Sequence, residues 1–319
     1  MAALGDDGRV WPLPGSPAAA PVIVPAGPGA AGPPAIWHAT SDARVRRWAW
    51  HGAAAVPWQA VAEARLPEPA HALAAGAHGE LLAAHGHALT LLDAQGQLLR
   101  RYEGQDLARS RRGRAAALFG LPHRSSLLAA WPALQEWWEI SLDPAAPPVF
   151  DGYVHDHRMG EAIASPGHLG VRRVPFDTAA PVPAFAPAGW PWVACAAGDG
   201  VGVVHLDVRR SVARLAVDAT ALAASAVHEG LWWLPVGRRL WGIDPRRWQP
   251  VRQREGPGPV QALAVGSGQL QLLSEGTVWR WDDAQWRPSA GGLAALASGG
   301  DAGVATAPPP WQGVAALAP

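Results

Sequence analysis

Residues 70–104 read AHALAAGAHGELLAAHGHALTLLDAQGQLLRRYEG, a succession of four short apolar runs separated by turns that contain glycine. Each run has the length of a β-strand, and the turns fall at the spacing of consecutive antiparallel strands. Helical periodicity is absent, because glycine interrupts every stripe of apolar residues at helical spacing. The stretch therefore predicts a sheet of four antiparallel strands.

The same unit recurs along the chain, in residues 114–155, 190–217, 222–251 and 259–288. Its third run ends in an acidic turn in each copy: Leu92-Asp93, Leu142-Asp143, Leu206-Asp207, Ile243-Asp244 and Trp281-Asp282. A period of roughly 30 to 50 residues with four strands per unit is typical of the blades of a β-propeller. We therefore predict an all-β protein, a β-propeller of about eight blades with seven as the alternative count.

Residues 1–319 are assigned to a single propeller domain. A β-sandwich or several small β domains is the rival interpretation, but neither explains the repeated acidic turn. Residues 2–15 and 291–306 have strand-like composition, and their pairing would remove exposed sheet edges. Residues 12–35, dense in proline and glycine, predict an irregular stretch, and residues 156–189 predict an insertion between blades.

The composition excludes several classes of protein. Hydrophobic residues make up 49% and charged residues 16%, which favours a packed core over a disordered chain. The 26 basic residues, all arginine, balance the 26 acidic ones, so a net charge of zero gives no long-range attraction for nucleic acid. No apolar run reaches the ~20 residues of a membrane span. We therefore expect neither a nucleic-acid partner nor a membrane span.

The N-terminal residues and the cysteine content give limited information about the cellular compartment. The N-terminus lacks the basic-then-apolar pattern of a secretion signal, so we expect a cytoplasmic protein, or a periplasmic one if a signal peptide was removed. Cys195 is the only cysteine of the chain, which rules out an intrachain disulfide.

The densest polar cluster is His155-Asp156-His157 with Arg158. On a strand, a His-x-His pair points both rings to the same face, which suits a metal site, whereas on a loop it has no such meaning. The 18 tryptophans invite a stacking function, but large aromatic residues also pack blade against blade, and we favour packing.

Motifs for self-contained catalysis are missing. The sequence has no nucleophile elbow, phosphate-binding glycine loop, His-Glu-x-x-His pair or paired-carboxylate signature. His78, His85 and His87 fall in predicted hairpin turns and are expected to be solvated, and Asp93 and Asp244 are expected to cap turns. From the residues alone, the chain is a propeller that binds a ligand or a partner.

Residues 114–177 carry a more specific pattern. A blade, RAAALFGLPHRSSLLAAW, leads through EWWEISLDPAAPPVFDG into YVHDHRMGEAI and HLGVRRVPFD. This succession resembles the cytochrome d1 haem-domain family, the propellers of cd1 nitrite reductase and of proteins that build or deliver haem d1. Residues 67–86 and 201–217 resemble further blades of that family, and the resemblance extends over residues 65–290.

The resemblance implies haem d1, or a precursor of it, as cofactor. On this match His71 corresponds to the axial ligand of the haem iron. His155 corresponds to a histidine on the substrate side, and His157 lies in the same segment. The cofactor would carry the redox chemistry, and the protein would supply the imidazole, the arginines and an apolar wall.

Arg158, Arg172 and Arg173 would be available for the haem carboxylates on the same match. One departure concerns the family's second pocket histidine, which stands in a Pro-His-Leu-Gly-Ser-Gly type of segment. This chain has Leu222 in that place, within residues 221–226. Leucine removes a proton donor, so the departure favours haem handling over nitrite reduction.

These inferences combine into one predicted function. We predict a propeller that binds a haem d1-type tetrapyrrole and acts in haem d1 biosynthesis or delivery for nitrite reduction in denitrification. Its protein partners would come from the maturation system of nitrite reductase. If the chain is an enzyme, the resemblance implies oxidoreductase chemistry of the nitrite reductase type or a maturation step. The alternatives are a non-catalytic interaction propeller that has lost the haem site and, with weaker support, a hydrolytic enzyme.

Overall fold

The computed structural model describes residues 2–4, 10–12, 18–19, 22–24, 35–51, 58–150, 164–176, 184–187, 189–266, 268–282, 284–289, 304–305 and 314–316. The chain divides into two compact units. One comprises Met1–Leu13, Val182–Asp207 and Ser211–Pro319, and the other comprises Pro14–Pro181 with Val208–Arg210. A single domain over residues 1–319 stays a prediction.

The described residues form β-strands, short 3₁₀ turns and no α-helix. The strands are β1 Ala2–Leu4, β2 Val10–Pro12, β3 Val22–Val24, β4 Ala35–Ala39, β5 Arg44–Trp50, β6 Trp58–Arg65, β7 Ala72–Ala75, β8 Leu81–His85, β9 Ala88–Leu92, β10 Leu98–Glu103, β11 Ala117–Leu121, β12 Ser126–Trp131, β13 Glu136–Ser141, β14 Val149–Phe150, β15 Ala164–Ser165, β16 Val171–Pro175, β17 Ala184–Ala186, β18 Trp192–Ala197, β19 Gly200–His205, β20 Arg210–Leu215, β21 Ala226–His228, β22 Leu231–Val236, β23 Arg239–Asp244, β24 Gln249–Glu255, β25 Ala262–Gly266, β26 Gln269–Ser274, β27 Thr277–Asp282, β28 Gln285–Pro288, β29 Val304–Ala305 and β30 Val314–Ala316.

The strands pair into antiparallel sheets of the predicted four-strand kind. The unit around Pro14–Pro181 holds β3-β4-β5-β6, β7-β8-β9-β10 and β11-β12-β13-β16, with the small hairpin β14-β15. The other unit holds β17-β18-β19-β20 with β29 beside β17, then β21-β22-β23-β24, β25-β26-β27-β28 and the sheet β2-β1-β30. The repeat therefore corresponds to one sheet per copy, whereas the total of eight or seven blades stays a prediction.

The acidic turns close the third strand of their sheets, as predicted. The Asp93 carboxylate accepts hydrogen bonds from the backbone N–H groups of Gln95 and Gln97, at 2.9 and 2.8 Å. In the same way, the Asp143 carboxylate accepts from the N–H of the residue two positions later at 2.8 Å, and the Asp244 carboxylate does so at 2.9 Å. An aspartate that binds the backbone two residues on stabilises a tight turn. The recurring acidic residue is therefore a structural feature of the blade.

Two segments differ from the sequence prediction. Residues 12–35 contain the strand β3, which pairs with β4. Residues 156–189 contain β16, which pairs with β13 as the fourth strand of its sheet, and β17, which begins the next sheet. The insertion therefore lies inside a blade, between its third and fourth strands. The fourth strand escaped prediction because it carries the adjacent arginines Arg172 and Arg173 and little apolar periodicity.

Both ends of the chain enter one sheet. β1 pairs in parallel with β30, from Ala2↔Val314 to Leu4↔Ala316. The predicted pairing between the termini is therefore present, but with residues 314–316 as the C-terminal partner. Within residues 291–306 the structure describes only Val304–Ala305, which pairs with β17 instead.

Tryptophan side chains fill the cores between neighbouring sheets. Trp131 and Trp138 lie 4.5 Å apart between ring centroids, in a cluster with apolar residues of β8 and β9. Trp192 and Trp232 lie 5.0 Å apart in a second cluster. All of these rings are fully or almost fully buried. The predicted packing role of the tryptophans is confirmed for these residues.

Gly120 marks a close approach between the first strands of two sheets. β11 contacts β7, and a Cβ at position 120 would overlap the backbone carbonyl oxygen of Ala75.

We expect Gly120→Ala to lower the free energy of unfolding by about 1–3 kcal/mol, because the two strands would have to separate. Urea unfolding followed by tryptophan fluorescence measures this. Gly242→Ala, whose new Cβ would meet only side chains at 3.1 Å or more, is the control and should lose less.

Candidate functional site

His71 lies directly before β7, the first strand of its sheet. Its backbone N–H donates to the carbonyl oxygen of Ala84 at 2.8 Å, which extends the ladder between β7 and β8. The side chain is half-buried. The turn between β8 and β9 and the end of β10 lie at this same end of the sheet, because neighbouring strands alternate in direction. Loops from several strands therefore converge near His71.

The ring of His71 has a defined tautomer. Nε2 lies 2.8 Å from the carbonyl oxygen of Ala115, which can only accept, so Nε2 carries the proton. Nδ1 then keeps its lone pair, and the Nε of Arg114 lies against the ring, 3.4 Å from Nδ1 and 3.3 Å from Nε2. Histidines that bind metals commonly donate their second ring N–H to a backbone carbonyl in this manner. The geometry leaves Nδ1 as the atom able to ligate iron once Arg114 turns aside.

The surroundings of His71 lower the pKa of its ring. Burial is the largest cause; the hydrogen bond to Ala115 raises the pKa in part, the charge of Arg114 lowers it, and the charge of Glu68 raises it least. Only a neutral imidazole can bind a metal, since the protonated ring has no free lone pair. The lowered pKa and the hydrogen bond to Ala115 therefore fit a histidine that could bind a metal through Nδ1.

Arg172 and Arg173 form ion pairs with carboxylates of the protein itself. Arg172 forms an ion pair with Glu139, and Arg173 donates to Glu136 at 2.7 Å while lying over the ring of Trp138 at 4.5 Å. Both arginines lie on β16, the fourth strand, three strand spacings or about 14 Å from the first strand. The role in binding haem carboxylates that the resemblance implied would require these ion pairs to break.

Glu139 is a buried charge that sequence reasoning missed. Its carboxylate accepts from Arg124 Nε at 2.7 Å, from Ser126 Oγ at 3.0 Å and from Arg172. Burial raises its pKa, but the hydrogen bonds and charges of Arg124 and Arg172 outweigh burial, and the pKa lies below its ordinary value. From the sequence, a glutamate in the third strand is expected at the surface, and no neighbouring residue indicates that Glu139 is buried. The cluster joins three strands and the turn before β12.

Of the three histidines of this sheet that were predicted to be solvated, His85 alone differs from the prediction. His85, expected to be solvated, is fully buried at the end of β8, where Nε2 lies 2.7 Å from Thr90 Oγ1. His87 is exposed, and its Nδ1 donates to the carbonyl oxygen of Gly113 at 2.9 Å. His78 is exposed in the turn after β7, as predicted. The hairpin was placed correctly, but its last strand residue points into the core.

The remaining predicted site residues divide into two groups. His155, His157 and Arg158 lie outside the described residues. Leu222 lies in a 3₁₀ helix, Ala219–Ala224, which Asp218 caps through the N–H of Thr220 at 2.8 Å. Its side chain is fully buried in the cluster that contains Trp232. Leu222 is therefore a core residue and not the lining of an open pocket, which corrects the inference that it faces the site.

Among the described residues, no group of three or more His, Cys, Asp and Glu side chains is arranged to hold a metal ion by itself. None of their helices has both the length and the apolar character needed to cross a bilayer.

Comparison with known proteins defines the class of fold. No protein-family model matches the chain, and no curated protein sequence matches it. Solved structures do match, and they identify the four-stranded sheets as blades of a β-propeller. The predicted fold class is confirmed.

The similar structures include NirN, described as a dihydro-heme d1 dehydrogenase in complex with DHE. The match has a TM-score of 0.62 and 19% identity, and it covers 90% of this chain and 60% of NirN. Sqt1 of Saccharomyces cerevisiae is a second similar structure, with a TM-score of 0.48, 11% identity and coverage of 86% and 84%. At 19% identity the likeness to NirN shows a shared fold. The chain spans 60% of NirN, so the activity of that protein is not carried over with the fold.

Proposed function

We propose that this chain is a propeller that binds haem d1 or a precursor, with His71 as the axial ligand, and that it acts in haem d1 biosynthesis or delivery. The observation that carries the proposal is the His71 ring, which is half-buried, has a lowered pKa and is fixed by the Ala115 carbonyl. The shared fold with NirN, whose structure is a complex with DHE, supports the choice of ligand class. Proteins of the nitrite reductase maturation system are the partners that this proposal includes.

The chain's own residues would keep His71 ready to bind the iron of the tetrapyrrole. The carbonyl of Ala115 holds the Nε2 proton, so that the lone pair of Nδ1 stays available. Arg114, whose Nε lies against both ring nitrogens, would have to withdraw from the ring and would then be a cation near the bound group, suited to a carboxylate. The bound tetrapyrrole would supply the redox chemistry of its iron.

Titration of the purified protein with haem d1, followed in the visible spectrum, tests the proposal. The wild-type protein should shift the Soret band, and His71→Ala should bind at least about tenfold more weakly, since loss of a metal ligand removes that affinity. His78→Ala, an exposed histidine of the same sheet, is the matched control and should bind like wild type. No Soret shift in wild type, or an equal shift in His71→Ala, would contradict it.

A second candidate function is a non-catalytic interaction propeller that has lost the haem site. The ion pairs of Arg172 and Arg173 with internal carboxylates favour it. It predicts colourless protein after expression in a host that makes haem d1, and no spectral change in the titration. The two candidates therefore give opposite results in one experiment.

A further inference from the structure

Residues 104–114, GQDLARSRRGR, connect β10 to β11. β10 is the fourth strand of its sheet and β11 the first strand of the next, so the segment crosses the end of a blade from its outer to its inner edge. Arg173 holds the outer end through the backbone carbonyl of Gln105, at 3.1 Å. Arg114 lies at the inner end, against His71. We call this segment the arginine loop.

The arginine loop is held in one conformation. The N–H of Gly104 donates to the carbonyl of His87 at 2.7 Å, and the N–H of Gly113 donates to the carbonyl of Gly104 at 2.9 Å. The Asp106 carboxylate accepts from the backbone and hydroxyl of Ser110, both at 2.7 Å, and from Arg111 Nε at 3.2 Å. Because the backbone is fixed in this way, little backbone entropy is lost on binding.

Positive charge is concentrated on the loop's outer surface. The whole loop contains four arginines and one aspartate and so has a net charge of +3, whereas the net charge of the chain is zero. The Asp106 side chain is only 10% exposed and faces the interior of the loop. Arg109, Arg111 and Arg112 are exposed, and Leu107 among them is 55% exposed. The surface therefore combines cations with an accessible apolar side chain.

We propose that the arginine loop is a docking surface for an acidic protein segment that also presents an apolar residue. Complementary charge steers association and fixes the orientation of a partner, and arginine is enriched in protein interfaces. Leu107 supplies the apolar contact that a purely ionic surface lacks. The location beside His71 places the bound partner next to the proposed ligand site, although the docking inference does not depend on haem binding.

A nucleic acid fits the same loop less well. The segment contains no aromatic residue on which a base could stack, and the chain as a whole has zero net charge. Single strands are held by a basic groove together with such stacking. An exposed leucine at the centre of the cations favours a protein partner, and nucleic acid becomes an outcome of the test.

The test is fluorescence anisotropy with a fluorescein-labelled synthetic peptide of repeating Glu-Glu-Leu and the haem-free protein. We expect saturable binding that weakens as salt is added, because exposed charges are screened. Arg109→Gln/Arg112→Gln should weaken binding by about tenfold, and Leu107→Ser by a smaller factor. Arg246→Gln/Arg247→Gln removes two exposed adjacent arginines from another turn and should bind as wild type does. Equal thermal midpoints would show that each variant is folded.

Three outcomes would overturn the proposal. They are no binding of the peptide to wild type, unchanged binding by the Arg109→Gln/Arg112→Gln variant, and tighter binding of a single-stranded oligothymidine of equal charge. Because haem d1 is absent from the assay, failure here leaves the proposed tetrapyrrole site intact. Failure of the haem titration likewise leaves the docking surface standing.

Discussion

Replacement of Glu139 by alanine is expected to lower the free energy of unfolding by about 3–5 kcal/mol, because it leaves two mostly buried arginines without their carboxylate. Glu139 is buried, and the side chains of Arg124 and Arg172 that it pairs with are only 18% and 24% exposed. In that position water can replace the lost carboxylate only in part. Urea unfolding of the variant, followed by circular dichroism, measures the change.

Glu63 provides a control with the same chemistry in an exposed place. Its carboxylate pairs with Arg44 at 2.7 Å and with Arg46 at 2.5 Å, but its side chain is 42% exposed. Exposed ion pairs contribute about 1 kcal/mol or less, so Glu63→Ala should change stability little. Equal losses in the two variants would show that burial of the Glu139 cluster does not govern its contribution.

The same cluster predicts a dependence of stability on pH. The pKa of Glu139 is lower in the folded protein than its usual value of 4.5, so the ionised form is favoured by folding. Its contribution is therefore complete above about pH 4.5 and is lost as the pH falls through the folded pKa. Glu139→Gln should flatten this part of the curve of stability against pH. If the stability of the Glu139→Gln variant fell at low pH as steeply as that of the wild type, Glu139 would not be the group responsible.

Trp232→Ala is the second substitution with a large expected effect, a loss of about 3–5 kcal/mol in the free energy of unfolding. Trp232 is fully buried in β22, stacked at 6.2 Å on Phe185 and 5.0 Å from Trp192. Neighbouring strands cannot close the cavity, because the sheets on both sides fix their separation. Guanidinium unfolding measures the loss.

Two further substitutions make the Trp232 prediction specific. Trp232→Phe should lose less than the alanine variant, since the indole N–H makes no hydrogen bond among the described residues and most of the ring volume is kept. Phe150→Ala removes an aromatic ring that is 50% exposed and should change stability by about 0.5 kcal/mol or less. A Trp232→Ala variant as stable as Phe150→Ala would show that the cluster is not a core.

The resemblance predicted the site only in part. His71 was selected by the motif, and the structure adds the reason that it suits a ligand: a carbonyl acceptor that fixes its tautomer. Arg172 and Arg173 were selected by the same motif, yet their partners Glu139 and Glu136 lie about 35 residues away along the chain on the neighbouring strand. Contacts of that separation depend on strand register, which a motif does not encode.

The repeat of residues 70–104 by itself determined the four-strand unit and the acidic turn after the third strand. These follow from local physics: strand-length apolar runs, glycine turns and an aspartate that binds the backbone ahead of it. The tertiary structure alone decided that β16 completes a sheet across an insertion, that Leu222 belongs to the core, and that the arginine loop spans from the Arg173 side of a blade to His71. Each of these results from pairing between distant segments, whose energies depend on which side chains meet and not on the order of residues within either segment.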